Sequence, residues 1–332
     1  MTSEKGQRAT GVQWQVALSE LLVSLLSIEL HLLAISNSLR WFLYSVLQIP
    51  KDLMENLWHC ALEKYSTPQD QMVFLVTGTI LVSLVVYWLW GSFYILLDLT
   101  GWLSSYKVQP GTNQPLNRKR LANTILQVLI NQTVVSFPAA VAAFYLADYT
   151  GNLLTFDELK RVPPFSQVLI EFPLLVLCHE FAFYYSHRLL HHGLLYKMIH
   201  KRHHQWTAPI AVIAVDCHPV EHVLANVGPV LLGPAIVGSH PLTAWFWFSY
   251  VTFQTLNGHS GYHWPWFQSP EFHDYHHLKF NQNYGSIGFL DYLHGTDAKW
   301  RKSVQFKRHF VINGLKPATQ IVPVKGSKIS VD

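Results

Sequence analysis

The chain has 332 residues, of which 50% are hydrophobic and only 13% are charged, a composition typical of membrane proteins. Its formal net charge is +4, and no Lys/Arg run is long enough for a basic arm, so we expect no nucleic-acid partner. Three cysteines, Cys60, Cys178 and Cys217, are far apart and form no C-x-x-C motif. We therefore expect neither a disulfide framework nor a thiolate metal site, and any metal ligands must be nitrogen or oxygen.

The N-terminal region combines a polar start with an apolar segment of uncertain type. Residues 1–16 lack the apolar core and cleavage site of a signal peptide. Residues 17–49 are apolar but carry Glu20, Glu29, His31 and Arg40. Because charges at mid-membrane are unfavourable, this segment is either a poor span or an amphipathic helix lying on the membrane surface.

Long apolar stretches further along the chain predict an all-α, integral membrane helical bundle. The spans that we predict are residues 72–97, about 125–146 and about 168–185, followed by a helical hairpin of residues 224–237 and 242–256. Each arm of the hairpin is short for a full span, so it is expected to penetrate only part of the bilayer. These predictions divide the chain into four regions: 1–70 (N-terminal segment), 71–165 (transmembrane helices), 166–300 (catalytic region) and 301–332 (C-terminal tail).

Loop charges predict the orientation of the bundle. The loop between the first two spans is basic, and the next loop is richer in acids; the residues concerned are Lys107, Arg118, Lys119 and Arg120 in the first, and Asp148, Asp157, Glu158, Lys160 and Arg161 in the second. By the positive-inside rule the first loop is cytosolic. The third span and the hairpin then bring the histidine-rich C-terminal half to the cytosolic face as a metal-binding cap.

Histidines are the main chemical signal of the chain. Of 19 histidines, 14 lie between residues 187 and 277. Ten of these fall in four groups with i,i+3 or i,i+4 spacing, which places imidazoles on one helical face. The ten predicted metal ligands are His187, His191, His200, His203, His204, His259, His263, His273, His276 and His277. His218 and His222 form another i,i+4 pair, for which ligation and structural support are equally plausible.

Ten imidazoles are too many for one zinc ion and enough for two metal centres with open positions. Imidazole binds iron, zinc, copper and nickel alike, so ligand type alone leaves the metal open. A site beside a bilayer favours a redox pair that activates O2 against a lipid C–H bond. Neither a G-x-G-x-x-G after a strand nor a P-loop motif is present, so electrons must come from an external donor.

The histidine motifs resemble the three histidine boxes of the fatty acid hydroxylase/sterol desaturase superfamily, and within it the C4-methylsterol oxidases. The resemblance covers about residues 173–296 and is carried by His187-x-x-x-His191, His200-x-x-His203-His204, His273-x-x-His276-His277, His218-Pro-Val-Glu221, His259-Ser-Gly-Tyr262 and Asn283-Tyr-Gly285. It implies a multi-pass endoplasmic-reticulum enzyme with two iron ions, O2 as co-substrate and cytochrome b5 or a similar reductase system as electron donor. Zinc is the alternative metal in isolated protein.

Some positions depart from the pattern. His263 stands where sterol oxidases can have Asp, and Phe183 where they have another histidine. Around the ligands, candidate acceptors of an imidazole N–H are Glu180, His218, Glu221, Asp274 and Asp291, each of which could equally be a cap or a surface group. Asn283 and Tyr284 are candidates for shaping the catalytic pocket.

The functional prediction is oxidation of a sterol methyl group by a membrane-bound di-iron oxygenase. One alternative is a hydroxylase or desaturase of fatty-acyl chains or sphingolipids. Another is a catalytically silent membrane protein that regulates or scaffolds others while retaining the metal fold. A complete ligand set argues against silence, because a structural metal needs fewer ligands and no open position.

Overall fold

The computed structural model describes residues 11–113 and 115–323. The start of the predicted polar N-terminal segment, residues 1–10, and the end of the predicted tail, residues 324–332, lie outside the described residues. Within the described ranges the regular elements are helices, and β-structure is limited to isolated bridges of Lys107 with Tyr262 and Pro265 with Ile312. The all-α prediction is confirmed.

The helices follow one another with short connections. The α-helices are α1 (Gly11–Trp41), α2 (Leu53–Glu63), α3 (Pro68–Thr100), α4 (Arg118–Ile130), α5 (Ser136–Tyr149), α6 (Phe156–Lys160), α7 (Phe165–Leu190), α8 (Gly193–Met198), α9 (Pro219–Glu221), α10 (Gly228–Val237), α11 (Pro241–Ser260), α12 (Glu271–Lys279), α13 (Phe289–His294), α14 (Val304–Arg308) and α15 (Ala318–Ile321). Three π-helical segments, Phe42–Val46, Asn131–Val135 and His222–Val227, continue or join α-helices. The 3₁₀ segments are Ser104–Tyr106, His200–Gln205, Ala211–Val215 and Trp300–Lys302.

Five helical segments of the described chain are long and apolar enough to cross a membrane: Trp14–Val46, Pro68–Thr100, Arg118–Tyr149, Phe165–Leu190 and Pro219–Val237. This is the pattern of a multi-pass membrane protein. The first of them contains most of the segment left open above, residues 17–49. Residues 17–46 belong to one long helix whose length and composition suit a span, and the Glu20 carboxylate pairs at 3.4 Å with Arg301.

The arms of the hairpin are longer than predicted: α10 is the last part of the helical segment Pro219–Val237, and α11 has 20 residues. The hairpin turn ends α10 at Gly238, which adopts a left-handed conformation with φ +70°. In the same turn His240 Nε2 donates to the carbonyl of Leu159, 3.0 Å away, in α6. Trp58 of α2 donates to that carbonyl as well, at 2.7 Å. The turn therefore lies at the end of the bundle where α2 and α6 pack, and α11 returns to the histidine-rich end.

The histidine-rich end is held together by contacts between helix termini. Just after α3, Lys107 forms a buried ion pair with Asp98 at 2.6 Å and donates to the carbonyl of Ser260, the last residue of α11, at 3.0 Å. The segment Ala211–Val215 packs beneath, and Val212 and Ile213 are fully buried there. These contacts fix the ends of α3 and α11, and none of them involves a metal-binding side chain.

Candidate metal centre

Nine of the ten predicted ligands converge in two groups in the part of the chain that the structure describes. Within each group the ring nitrogens that can act as ligands all lie within 4.8 Å of one another. We call the groups site A and site B. Site A contains His187, His191, His200, His204 and His276, and site B contains His203, His259, His273 and His277.

The spacing along the chain decides which site each ring joins. The i,i+4 pairs stay together: His187 with His191 and His200 with His204 in site A, and His273 with His277 in site B. The middle histidine of each later motif belongs to the other site. His203 therefore joins site B and His276 joins site A. Adjacent rings point about 100° apart in the α-helix that carries His276-His277 and about 120° apart in the 3₁₀ segment that carries His203-His204, so each His-His pair reaches both sites.

In site A the Nε2 atoms face one another at short range. His200 Nε2 lies 2.9 Å from that of His191 and 3.0 Å from that of His204. His276 Nε2 lies 3.2 Å from the Nε2 atoms of both His191 and His204. Four nitrogens from three separate chain segments thus surround one small volume, with His187 adjoining.

Site B is built in the same way from α11, α12 and His203 of the 3₁₀ segment His200–Gln205. His259, in the last turn of α11, places its Nε2 2.8 Å from that of His273 and 3.3 Å from that of His203. His277 Nε2 lies 3.2 Å from that of His273. Rings of the two sites adjoin, with centroids of His204 and His277 4.8 Å apart.

The opposite ring nitrogens show that these imidazoles fit a metal. Several Nδ1 atoms face oxygen atoms that can only accept, which fixes the tautomer with hydrogen on Nδ1 and a lone pair on Nε2. The pairs are His187 with Tyr284 O (2.8 Å), His200 with Glu221 Oε1 (2.7 Å), His259 with Thr255 O (2.8 Å), His276 with Gln282 O (2.7 Å) and His277 with Trp206 O (3.2 Å). Converging lone pairs repel one another unless a cation lies between them, so the donor set fits two metal ions.

Burial keeps the rings in the neutral form that binds metal. Burial, assisted by the charges of neighbouring imidazoles, lowers the pKa of His191 to about 2. The same causes, burial first, lower the pKa values of His204, His273 and His277 well below the usual value. Protonation therefore does not compete with metal near neutral pH.

Glu221 is the one predicted acceptor that touches a site histidine among the described residues, through His200 Nδ1. The other four predicted acceptors form hydrogen bonds with groups other than the site histidines. Glu180 accepts from the backbone amides of Ser286, Ile287 and Leu290. Asp291 accepts from the amides of Tyr284 and Gly285, Asp274 accepts from Gln109 at 2.9 Å, and His218 caps α9 by accepting from the amide of Val220.

His263 lies outside both sites, so the structure does not support its predicted role as a ligand. The helix α11 ends at Ser260 and Gly261 turns the chain with φ +68°, so the i,i+4 spacing from His259 is not helical. His263 Nε2 instead donates to the carbonyl of Phe310 at 2.8 Å, and its Nδ1 lies 3.5 Å from Ser269 Oγ.

An apolar cavity of about 300 Å³ reaches both sites. Five site histidines line it: His187, His200, His203, His259 and His273. The rest of the wall is largely apolar and comes from membrane-span helices and α11, with Ile80, Leu84, Val176, Trp247, Phe248 and Val251 among its residues. Such a cavity can bring an apolar molecule from the membrane region to the ring nitrogens.

The predicted pocket residues Asn283 and Tyr284 do not line this cavity, although Gly285 and Ser286 next to them do. The Asn283 amide donates to Phe272 O at 2.9 Å, so it fixes the loop before α13. Tyr284 acts through its carbonyl on His187, and its ring lies 5.0 Å from that of His191. Backbone carbonyls of this kind leave no mark in a sequence, which is why the motifs did not reveal them.

Comparison with known proteins places this geometry in a family. The model of the fatty acid hydroxylase family matches residues 172–296, which include all nine site histidines. Fatty acid hydroxylase domain-containing protein 2 of Macaca fascicularis is 39% identical over 298 residues, covering 89% of this chain and 87% of the relative. The chain belongs to the fatty acid hydroxylase family. The resemblance expected from the histidine motifs is confirmed.

Further family members include enzymes named for sterols. Methylsterol monooxygenase 2-1 of Arabidopsis thaliana is 29% identical, over 75% of this chain and 96% of the relative. A putative methylsterol monooxygenase of Dictyostelium discoideum is 34% identical, over 70% of this chain and 88% of the relative. No solved structure matches the chain significantly. Fatty acid hydroxylase family members are lipid-modifying oxidoreductases that depend on non-haem iron, and the two histidine sites suit that metal.

Proposed function

We propose that the chain is a membrane-bound, O2-dependent oxidoreductase that holds iron in sites A and B and oxidises a methyl group of a sterol. The observation that carries this proposal is the cavity, because its apolar wall rises from the membrane-spanning helices and ends on imidazoles of both sites. A lipid can thus reach the metal centre without leaving an apolar environment. The names of the methylsterol monooxygenase relatives support the sterol as the substrate class.

The overall reaction balances with an external donor of two electrons. A methyl group, O2, two electrons and two protons give a primary alcohol and one water molecule. The iron pair, when bound, would use these electrons to activate O2 for attack on an unactivated C–H bond. The chain's own residues hold the ligand rings neutral, direct their lone pairs inwards and keep bulk water from the reacting carbon through apolar walls such as Val176 and Trp247.

The charge distribution supports a cytosolic active site. Basic residues cluster at the end of the bundle that carries sites A and B, namely Lys107, Arg118, Lys119, Arg120, Arg188, Lys197, Lys201 and Arg202. By the positive-inside rule this end faces the cytosol, where cytochrome b5 or a similar reductase system of the endoplasmic reticulum delivers electrons. A glycosylation acceptor inserted near Gly151 in full-length protein is expected to be glycosylated. Modification near Lys197 instead contradicts this orientation.

A cellular complementation experiment tests the function. Cells lacking the chain are expected to accumulate 4-methylsterols, and re-expression of the intact chain to reverse the build-up. His276→Ala removes a ligand of site A and His203→Ala a ligand of site B, so neither variant is expected to rescue. His59→Ala, outside both sites, is the matched control and is expected to rescue fully. Equal rescue by all three variants contradicts metal-dependent chemistry.

The same lipid profiles separate the alternatives. A build-up confined to non-hydroxylated sphingolipids or acyl chains indicates a hydroxylase of those lipids. Normal lipids with an altered abundance of other membrane proteins indicate a regulatory or scaffolding role. Metal analysis of protein purified without oxygen tests the choice of iron. Retained zinc, with no activity on addition of iron, removes the basis of the oxygenase.

A further inference from the structure

One corner of the apolar cavity is polar, and sites A and B do not account for it. His222 lies within the membrane-span segment Pro219–Val237, is only 4% exposed and lines the cavity. Ser136, from the span Arg118–Tyr149, lines the cavity beside it. Ionisable side chains within membrane-spanning segments usually have a functional role, because hydrocarbon gives them no hydrogen bonds.

The hydrogen bonds of this pair fix the tautomer of His222. Ser136 Oγ donates to the carbonyl of Asn131 at 3.0 Å, since a carbonyl can only accept. A hydroxyl has only one proton, so Ser136 Oγ can only accept from His222. The Nε2–H group of His222 therefore donates to Ser136 Oγ, 2.8 Å away. His222 Nδ1 must then carry a lone pair. This buried nitrogen has no hydrogen-bond partner among the described residues.

The backbone around this pair is π-helical instead of α-helical. Both side chains lie at π-helical segments that pack on each other: Ser136 follows Asn131–Val135, and His222 opens His222–Val227. Single π turns within helices are frequent at functional sites. A buried acceptor without a partner is also unfavourable to leave in place. Both observations indicate a ligand that donates a hydrogen bond to His222 Nδ1.

We infer that His222 and Ser136 form a hydroxyl-recognition subsite, in which His222 Nδ1 accepts a hydrogen bond from the hydroxyl group of a neutral lipid alcohol. The inference rests on the proposed function and deepens it, because it states how the substrate is oriented towards sites A and B. A carboxylate offers no proton for this bond, so the subsite selects against free fatty acids. A sterol and a ceramide both offer the required hydroxyl.

Binding measurements with lipid pairs test the subsite. Iron-loaded, full-length protein in lipid nanodiscs is titrated with a 4-methylsterol and with its 3-O-methyl ether, which lacks the donor. The intact protein is expected to bind the alcohol about three- to tenfold more tightly, the usual range for one neutral hydrogen bond. His222→Phe is expected to bind both equally. His222→Gln, whose amide oxygen can accept, is expected to recover part of the preference.

Two further variants keep the result interpretable. Ser136→Ala releases the tautomer of His222 and is expected to reduce the preference without removing a ring from the cavity. His59→Phe makes the same side-chain exchange in α2, outside the cavity, and is expected to keep the intact preference. If His222→Phe does not fold, as judged by gel filtration and iron content, Ser136→Ala and His222→Gln decide the question.

A ceramide and its O-methylated derivative, titrated in parallel, distinguish the two sources of the hydroxyl. Preference for the alcohol in the sterol pair alone assigns the subsite to sterols, and preference in the ceramide pair alone assigns it to sphingolipids. Equal binding of alcohol and ether by the intact protein, or an unchanged preference in His222→Phe, overturns the subsite. If the protein turns over these lipids without such a preference, the proposed function still holds. If it neither binds nor turns over any of the lipids, the proposed function is overturned as well.

Discussion

At the residue scale, the site depends on what each imidazole does with its second nitrogen. Four of the rings donate from Nδ1 to a backbone carbonyl, whereas His200 donates to the carboxylate of Glu221. A carboxylate acceptor makes an imidazole a stronger metal ligand than a neutral carbonyl does. Within site A, His200 is therefore the ligand whose affinity depends most on a single side chain.

We predict that Glu221→Ala weakens metal binding at site A by about 10- to 100-fold, because His200 loses the acceptor that orients its ring. Glu221→Gln keeps an oxygen at the same place and is expected to lose less. Competition with a chelator, read out as iron per protein, measures both. Equal metal affinity of Glu221→Ala and the intact chain contradicts the role assigned to this carboxylate.

We predict opposite outcomes for two histidines of the same sequence motif. His263→Gln is expected to leave the metal content unchanged, since both its ring nitrogens contact protein groups away from the sites. His259→Gln is expected to reduce occupancy of site B, because it replaces an imidazole that lies 2.8 Å from His273. Iron analysis of the two purified variants compares them directly. Loss of iron in His263→Gln would return His263 to the ligand set.

At the scale of elements, the loop from Tyr284 to Gly288 links two helices to site A. Glu180 of α7 and Asp291 of α13 bind backbone amides of this loop, whose Tyr284 carbonyl receives the His187 Nδ1–H. A Cβ added at Gly285 lies 2.6 Å from Glu180 Oε1 and 2.9 Å from Asp291 Oδ2. Only glycine leaves room for both carboxylates to approach the backbone.

Gly285→Ala is accordingly expected to destabilise the protein by about 1–3 kcal/mol, the usual cost of overpacking. Because the displaced loop carries the acceptor for His187, iron at site A should fall more than iron at site B. Thermal unfolding and metal titration check the two effects. Gly314→Ala is the control, since a Cβ there meets nothing within 4 Å. An unchanged iron content in Gly285→Ala argues against the loop as a support of His187.

The elements also show how far sequence reasoning reaches. Apolar stretches and i,i+4 histidine pairs are local patterns, so they were enough to predict the main spans. They also predicted all nine histidines that converge in sites A and B. The roles of His263 and Glu180 depended on where a helix ends and on which distant loop lies beside it. Tertiary packing decides both, and it also places backbone carbonyls as acceptors. The hairpin was predicted as short because π and α segments were not seen as one continuous helix.

At the scale of the whole molecule, the folded chain holds many imidazoles in the neutral form. Burial lowers their pKa values below the usual 6.5, as for His204, His273 and His277. As the pH falls below 6.5, these imidazoles become protonated in the unfolded chain but stay neutral in the folded chain. The stability that these neutral rings provide is therefore complete above pH 6.5 and is lost towards lower pH.

We predict that the metal-stripped protein unfolds at progressively lower temperature between pH 7.5 and 5.5. Each ring that stays neutral contributes up to about 1.4 kcal/mol per pH unit in the lower part of this range. Replacing one such ring, as in His277→Phe, should make the dependence shallower. Melting curves at three pH values test this. A melting temperature that is constant or rises towards pH 5.5 contradicts neutral, buried rings.

The exchange of middle histidines between the two sites has a thermodynamic consequence. His200-Lys-Arg-His203-His204 is one short segment, yet it contributes to both sites, and so does the motif around His276. An ion bound at one site orders segments that the other site needs, so the second ion binds to ligands already in place. The two sites should therefore load cooperatively, with a metal titration steeper than that of independent sites. A titration that fits two independent sites would show that each segment is already rigid without metal.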